Sequence, residues 1–370
     1  MTRAFTPTSR PLQALVDVAA MTHNLEQARQ RAGSRPIWAV VKANAYGHGI
    51  ENAVRAFARA DGLALLEIDE AQRARAAGWT RPILLLEGVF ESRDLSLIRE
   101  LGLTPVVHCH EQLAMLAALP APALPPVPVY VKVDTGMNRL GFAPQDLPGV
   151  RSRIAALPHL TLVALMTHLA NADHEHGTAP RVKGQHAALQ ALAPDWRGDW
   201  SVSNSAALFF HEARGPEWVR PGITLYGASP RAGLSAAGLG LRAAMCLQAR
   251  VLTIRSLSPG QCVGYGSQWT ATRHSRIGVV SCGYADGYPR TAPMGTPVGV
   301  GGSRVPLVGR VSMDMLTVDL TDAPQVAVGA PVELWGPNIS VDALAESVGT
   351  VGYELLSGLP ARVRELAAGQ

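Results

Sequence analysis

The chain has 370 residues, of which 47% are hydrophobic and 17% charged, with a formal net charge of +4. That small charge argues against nucleic acid as a main partner, the apolar content excludes a disordered chain, and no window approaches a membrane span. The length suits two domains. The opening MTRAFTPTSRPLQ lacks the apolar segment of a secretory signal. The four cysteines (Cys109, Cys246, Cys262, Cys282) show no paired spacing, as expected of free thiols in a reducing cytoplasm.

In chain order, Leu12–Val18 reads as a strand, and Met21, Leu25, Ala28 and Ala32 follow at helical spacing before Gly33. Apolar runs then recur at 37–41, 63–68, 82–86, 104–108, 127–133, 161–167 and 199–203, with a fainter one at 217–220. Helical patterns such as Asn52–Ala60, Glu70–Ala77, Ser92–Leu101 and Glu111–Leu119 lie between them. Eight short strands separated by amphipathic helices predict an α/β chain that opens with a (β/α)8 TIM-like barrel, over residues 1–240. Around 231–245 the texture turns to small residues and reads as a linker. Alternating segments follow at Cys246–Leu257, Ile277–Cys282, Val305–Leu307, Met315–Leu320 and Pro331–Leu334, with one helix at Ser340–Val348. These predict a C-terminal, mainly antiparallel β domain over 241–370, with the strand near 12–18 as a candidate member.

A (β/α)8 barrel places chemistry at the carboxyl ends of its strands. Lys42, Asp134, His168, Asn204 and Arg220 all fall at such ends. Lys42 closes the run Ile37–Val41 within AVVKANAYGHG, and the polar, glycine-punctuated stretch after it reads as a loop. A lysine half in apolar surroundings loses solvation for its ammonium and becomes a usable nucleophile or base. The plain alternative is a surface lysine whose stem lies over a loop. The chain has thirty arginines and only Lys42, Lys132 and Lys183 as lysines, so a retained lysine points to a need for an amine.

In VKVDTGMNRLGF, Arg139 is placed to point back over the barrel mouth, the alternative being an ion pair with Asp134. In MTHLAN, His168 can stack on a planar ligand or act as an acid, although a lone histidine is more commonly a satisfied core residue. His168, His174 and His176, or His108 and His110, lack a recognised ligand spacing, and no metal site is expected. SNSAA places Ser205 at a helix N-terminus, either an ordinary cap or part of a phosphate cradle. Gly222 in VRPGITLYG lets backbone approach a ligand there. VGYG, CGYADGY, VSMDM and VGYELL carry Tyr265, Tyr284, Met313 with Asp314, and Tyr353; alone, each tyrosine among glycines is a common turn filler.

Taken in this order, the motifs resemble those of alanine racemase, the fold-type III family that uses pyridoxal 5′-phosphate (PLP), from about Leu12 to the C-terminus. The resemblance implies an isomerase that interconverts L- and D-alanine, supplying D-alanine for peptidoglycan. It implies that Lys42 holds PLP and is one catalytic base, with Tyr265 the other. Tyr46, Asn204, Ser205, Gly222, Ile223 and Tyr353 would surround the phosphate, Arg220 would contact the pyridine nitrogen, and His168 would flank the ring. Arg139 and the backbone of Met313 would meet the substrate carboxylate; Lys132, Tyr284 and Asp314 would support them, Lys132 as a candidate for carbamylation. The family is homodimeric, so Tyr265 would act in the barrel of the second copy.

The chemistry agrees with this pattern. Returning a Cα proton to the opposite face is simplest with two bases, one on each side of a flat electron sink. Arginine does not give up its proton, so at the pyridine nitrogen it can only donate, which weakens the sink and favours proton exchange over decarboxylation. Two other readings compete. A non-catalytic PLP-binding single barrel would lack the C-terminal domain, and a racemase for another small amino acid such as serine would need a wider mouth than Tyr353 and Tyr284 leave.

Overall fold

The computed structural model describes residues 10–119, 125–174, 179–211 and 215–367. The chain divides into two compact units: Thr22–Ala45 with Ile50–Leu225, and Met1–Met21 with Tyr46–Gly49 and Tyr226–Gln370.

The first unit is the barrel. Strands Trp38–Val40, Gly62–Leu65, Ile83–Leu85, Leu103–Val107, Val127–Lys132, Leu160–Met166 and Asp199–Ser201 form one parallel sheet in chain order. Most are short and apolar throughout, as strands buried on both faces must be. The faint eighth run closes the ring through two bridges. Val219 pairs with Ile37 and Arg220 with Asn204, both parallel. The Trp38 N–H donates to Val219 O at 2.9 Å, and the Arg220 N–H to Ser203 O at 2.8 Å. Pro221 follows at once and has no N–H to donate, although its carbonyl still accepts the Val40 N–H at 3.0 Å. Helices Ile50–Ala56, Ile68–Ala76, Asp94–Glu100, His110–Ala117, Leu147–Ala155 and Ala179–Leu192 occupy the intervals.

The second unit is built on a mainly antiparallel sheet. Its order is Ser303–Pro306, Pro297–Val300, Pro331–Trp335, Met245–Leu257, Gln13–Val16 and Arg364–Ala367. Met245–Leu257 also pairs with Ser275–Val280, which pairs with Leu316–Asp319. Gln13–Val16 lies antiparallel to Met245–Leu257 and parallel to Arg364–Ala367, so the N-terminal strand is part of this sheet. A two-residue-wide hairpin, Cys262–Val263 with Trp269–Thr270, projects Tyr265 between its strands. The helix Val341–Ser347 is capped by Ser340 Oγ, which accepts the Ala343 N–H.

Asp342, in the first turn of that helix, accepts the Ser229 N–H with both carboxylate oxygens, at 3.0 and 3.1 Å. Burial pushes its carboxyl up to about 6, above the usual 3.8. A folded value above the unfolded one means that the cost of the buried charge is absent below the unfolded value. Stability is lost as pH rises through about 6. Asp342→Asn keeps an acceptor oxygen and removes the charge, so it should stabilise the protein by about 1–3 kcal/mol at pH 8 and by nothing at pH 4. Thermal melts of both chains at the two pH values check this; an equal difference at both would contradict it.

Candidate functional site

The barrel unit gathers Lys42, Lys132, His168 and Arg220 at the carboxyl ends of its strands. Lys42 lies two residues past Trp38–Val40, Lys132 ends Val127–Lys132, His168 lies two residues past Leu160–Met166, and Arg220 is in the closing bridge. Burial is the main influence on each. The Lys42 amine is held below the ordinary lysine value by burial; Glu87 and Glu70 oppose this and Arg139 adds to it. Lys132 is only 7% exposed, and burial with the Arg220 and Arg139 charges lowers it to about 8. Among the described residues its ammonium has no hydrogen-bonding or ion-pair partner. His168 is held well below its usual value by burial and by Arg220, Lys132, Arg139 and Lys42, so its ring is neutral at physiological pH.

Arg220 is 5% exposed and pinned by its terminal nitrogens. Nη1 donates to Ser201 Oγ at 2.6 Å, and Nη2 donates to Thr167 O at 2.9 Å and Val202 O at 3.2 Å. Among the described residues Nε has no acceptor, so one donor of a rigidly held guanidinium is free for a ligand. Burial lowers this group to about 10, which leaves it charged at neutral pH.

Arg139 does not pair with Asp134. The Asp134 Oδ1 instead accepts the N–H groups of Gly136, Met137 and Asn138 at 2.8, 3.0 and 3.1 Å, closing a turn with its own backbone. Asn138 sits at φ 57 within that turn. Among the described residues Arg139 has no carboxylate partner, although its charge reaches Lys42, Lys132 and His168.

The stretch after Lys42 corrects the sequence expectation of a plain loop. Lys42–Gly47 is a helical turn in which Ala43, Asn44, Ala45 and Tyr46 all have φ between 51 and 55. A left-handed run of residues other than glycine costs about 1–2 kcal/mol per residue, so surrounding structure must hold it. The Asn44 N–H donates to Glu70 Oε1 at 2.6 Å, and Asn44 Oδ1 accepts the Ile50 N–H at 3.3 Å. Side-chain periodicity carries no sign of handedness, which is why the sequence did not reveal the turn.

Ser205 opens the helix Ser205–Phe210, and Asn204 caps it by accepting the Ala207 N–H at 3.0 Å. The Ser205 Oγ accepts the Gly222 N–H at 2.8 Å and lies 3.2 Å from Thr224 Oγ1. Gly222 and the turn Ile223–Tyr226 thus meet the start of that helix. Backbone amides, a hydroxyl and a missing side chain are the parts of an anion cradle.

The remaining candidates belong to the second unit. Tyr46 is buried, stacked on Tyr226 with ring centroids 4.8 Å apart and tilted against Tyr353 at 6.0 Å. Burial raises its phenol well above the usual value. Tyr265 is not a buried turn filler: it is 71% exposed, between Gly264 at φ 73 and Gly266 at φ 75. Met313 is 53% exposed, and its loop is bound to that of Tyr284. The Tyr284 N–H donates to Ser312 O at 3.0 Å and the Ala285 N–H to Met313 O at 2.9 Å, while among the described residues the Met313 N–H has no acceptor. Asp314 accepts Arg362 Nη2 at 2.6 Å.

His108 Nε2 meets Glu87 O at 3.1 Å and His110 packs edge-on against Phe142. Among the described residues no three His, Cys, Asp or Glu side chains converge as metal ligands; His176 lies outside the described residues. Sequence reasoning missed Glu70, Thr167, Ser201 and Glu217. The Glu217 carboxylate accepts the Val202 and Ser203 N–H groups at 3.0 Å and Arg35 at 3.1 Å. Only Thr167, inside the MTHLAN motif, had a local signal.

Two family models match the chain. The alanine racemase N-terminal domain covers residues 16–230 and the alanine racemase C-terminal domain covers 244–367. The chain belongs to the alanine racemase family. The second match spans the part that a single-barrel PLP-binding protein would lack. The chain is 47% identical over 355 residues to the alanine racemase of Janthinobacterium sp., covering 96% of this chain and 98% of that protein. It is 50% identical over 373 residues to that of Bordetella avium, with the same coverage. The crystal structure of the biosynthetic alanine racemase from Pseudomonas aeruginosa superposes with a TM-score of 0.90 at 47% identity, covering 96% of this chain and 99% of that one.

The cation cluster of this alanine racemase chain can be tested directly. In the ligand-free protein, an NMR titration of the lysine side chains should show Lys132 changing charge near pH 8, and Arg220→Met should move that midpoint up by removing the strongest neighbouring charge. A midpoint that ignores the substitution would contradict the assignment.

Proposed function

We propose that this chain interconverts L- and D-alanine, with PLP held by Lys42 and the second base, Tyr265, supplied by a second copy of the chain. The observation that carries the reading is Arg220, whose terminal nitrogens are tied down while Nε stays free beside a neutral His168 and a lysine with a lowered pKa. That donor set fits a flat heteroaromatic ring, and the Ser205–Gly222 cradle fits its phosphate.

When bound, PLP would supply the electron sink that makes a Cα proton removable. The residues do the rest. Lys42, more easily deprotonated because burial disfavours its charge, would hold the cofactor and carry a proton to and from one face of Cα. Tyr265 serves the opposite face. By the family pattern, Lys42 takes the proton from D-alanine and Tyr265 from L-alanine. Arg139 and the Met313 N–H, both without acceptors among the described residues, fit the substrate carboxylate. Asn204, Ile223, Tyr46 and Tyr353 complete the surroundings of the phosphate, and Tyr284 and Asp314 support the mouth. A carbamate on Lys132, formed from its amine and carbon dioxide with loss of a proton, would give Arg139 a nearby anion. The lowered value of about 8 supports it by leaving some amine uncharged at neutral pH.

Arg220 stays protonated, so with the cofactor bound it would donate to the ring nitrogen and favour its unprotonated form. Decarboxylation and transamination are thereby disfavoured, and Arg220→Glu should raise such side reactions relative to racemisation. Unchanged partitioning would refute that role. The homodimer, a cytoplasmic location and a supply of D-alanine to peptidoglycan are parts of the same proposal. No helix among the described residues is long and apolar enough to cross a membrane.

Exchange of the alanine Cα proton with deuterated solvent tests the two-base arrangement. Lys42→Ala should lose exchange from both enantiomers. Tyr265→Phe should slow exchange from L-alanine by about 10²–10⁴-fold and leave exchange from D-alanine far less affected. Equal losses for the two enantiomers would contradict the assignment of faces.

A further inference from the structure

Asp286 is fully buried, yet it lies in no motif role assigned above. Its two oxygens receive Arg10 through both terminal nitrogens, Nη2 to Oδ2 at 2.8 Å, and Arg362 Nε at 2.8 Å, together with the Gly283 N–H at 2.9 Å. The arginines do not stop there. Arg10 Nη2 also donates to Asp314 O at 2.7 Å, and Arg362 Nη2 donates to Asp314 Oδ1 at 2.6 Å. Two guanidinium groups and two carboxylates thus tie together chain positions 10, 283–286, 314 and 362.

The tied segments are the loop that carries Tyr284 and the loop that carries Met313 and Asp314. They are pressed so closely that a Cβ on Gly283 would lie 2.3 Å from Ser312 O and 2.4 Å from Met313 O. A buried ionic cluster is a weak source of net stability, because desolvation offsets most of its attraction. It is a strong source of geometry, because the forked donors of arginine accept one arrangement of carboxylates. Here the geometry is imposed on the peptide next to Met313, whose N–H has no acceptor among the described residues.

We propose that Arg10, Asp286 and Arg362 form a clamp that positions the Met313 and Tyr284 loops against the alanine carboxylate in the barrel of the second copy. The inference rests on the two-copy reading given above. Arg10 is the member furthest from the known motifs, and its side chain is 34% exposed, whereas Asp286 is fully buried, so Arg10 can be changed with less damage to the fold than Asp286. All three are positioning residues; none of them meets substrate.

Holoenzyme carrying Arg10→Met should show a KM for alanine raised about tenfold with kcat changed by less than about threefold, as expected of a misplaced binding group. Its cofactor absorption should be unchanged. Arg10→Lys, which keeps the charge without the fork, should fall between. An unaltered KM, or an equal fall in kcat and in cofactor content, would overturn the clamp. The direction of action is read in mixed dimers, purified with two tags. Pairing an Arg10→Met chain with a Lys42→Ala chain leaves one working barrel, met by intact loops from the other copy, and its KM should return to normal. A KM that stays high would place the effect in the same chain and overturn the proposal. Pairing Lys42→Ala with Tyr265→Phe is the control for the two-copy reading. If that pair recovers no exchange from L-alanine, the reading itself fails, whatever the Arg10 chains show.

Discussion

Burial is the leading influence on Lys42, Lys132, His168 and Arg220 at the carboxyl end of the barrel, and it makes a proton easier to lose from each. Neighbouring cations add to it at Lys132 and His168, whereas Glu87 and Glu70 oppose it at Lys42 and Glu217 opposes it at Arg220. The outcome differs by residue type. The histidine becomes neutral, the two lysines move toward neutrality, and Arg220 remains charged because guanidinium holds its proton. One constraint therefore produces a flat neutral ring, an amine available for chemistry and fixed donors. It also makes the site a place where an anion is welcome, which suits a phosphate and a carboxylate arriving together.

Holding those cations in place takes contacts from several parts of the barrel. Arg220 is fixed by a hydroxyl and two carbonyls from neighbouring strand ends, so its free Nε has a defined direction. Lys42 is fixed differently, by a strained left-handed turn whose second residue is tied to Glu70. A turn of that hand reverses the usual relation between successive side chains. The Glu70 carboxylate does two jobs, since it also moderates the fall in the Lys42 value. In the C-terminal unit the same logic recurs where Asp286 and its arginines fix two loops.

Much of the barrel was legible because strands buried on both faces read as continuous apolar runs, and seven of the eight runs became hydrogen-bonded strands. The eighth, near 217–220, was faint because only Trp218 and Val219 lie between the charged Glu217 and Arg220, and it pairs through single bridges. The helix expected at Ser340–Val348 was legible because a capping residue and the turn after it are local in sequence. The Pro297–Val300 strand, the Arg364–Ala367 strand and the hairpin around Tyr265 were not, since segments of two to four residues are too short to show periodicity. Motif order brought out the candidate residues, but not their supports. Glu70 and Asp286 act on partners far away in the chain, and Arg10 lies 276 positions from Asp286. No spacing rule reaches that distance.

The central claim is that, of the three lysines, Lys42 is the one whose amine engages the cofactor. Borohydride reduction of the PLP-loaded protein followed by peptide mass analysis tests it most directly. The account predicts a phosphopyridoxyl mass on the peptide containing Lys42 and on no other. A label on Lys132 or Lys183 instead, or no label on a protein that retains racemase activity, would contradict it.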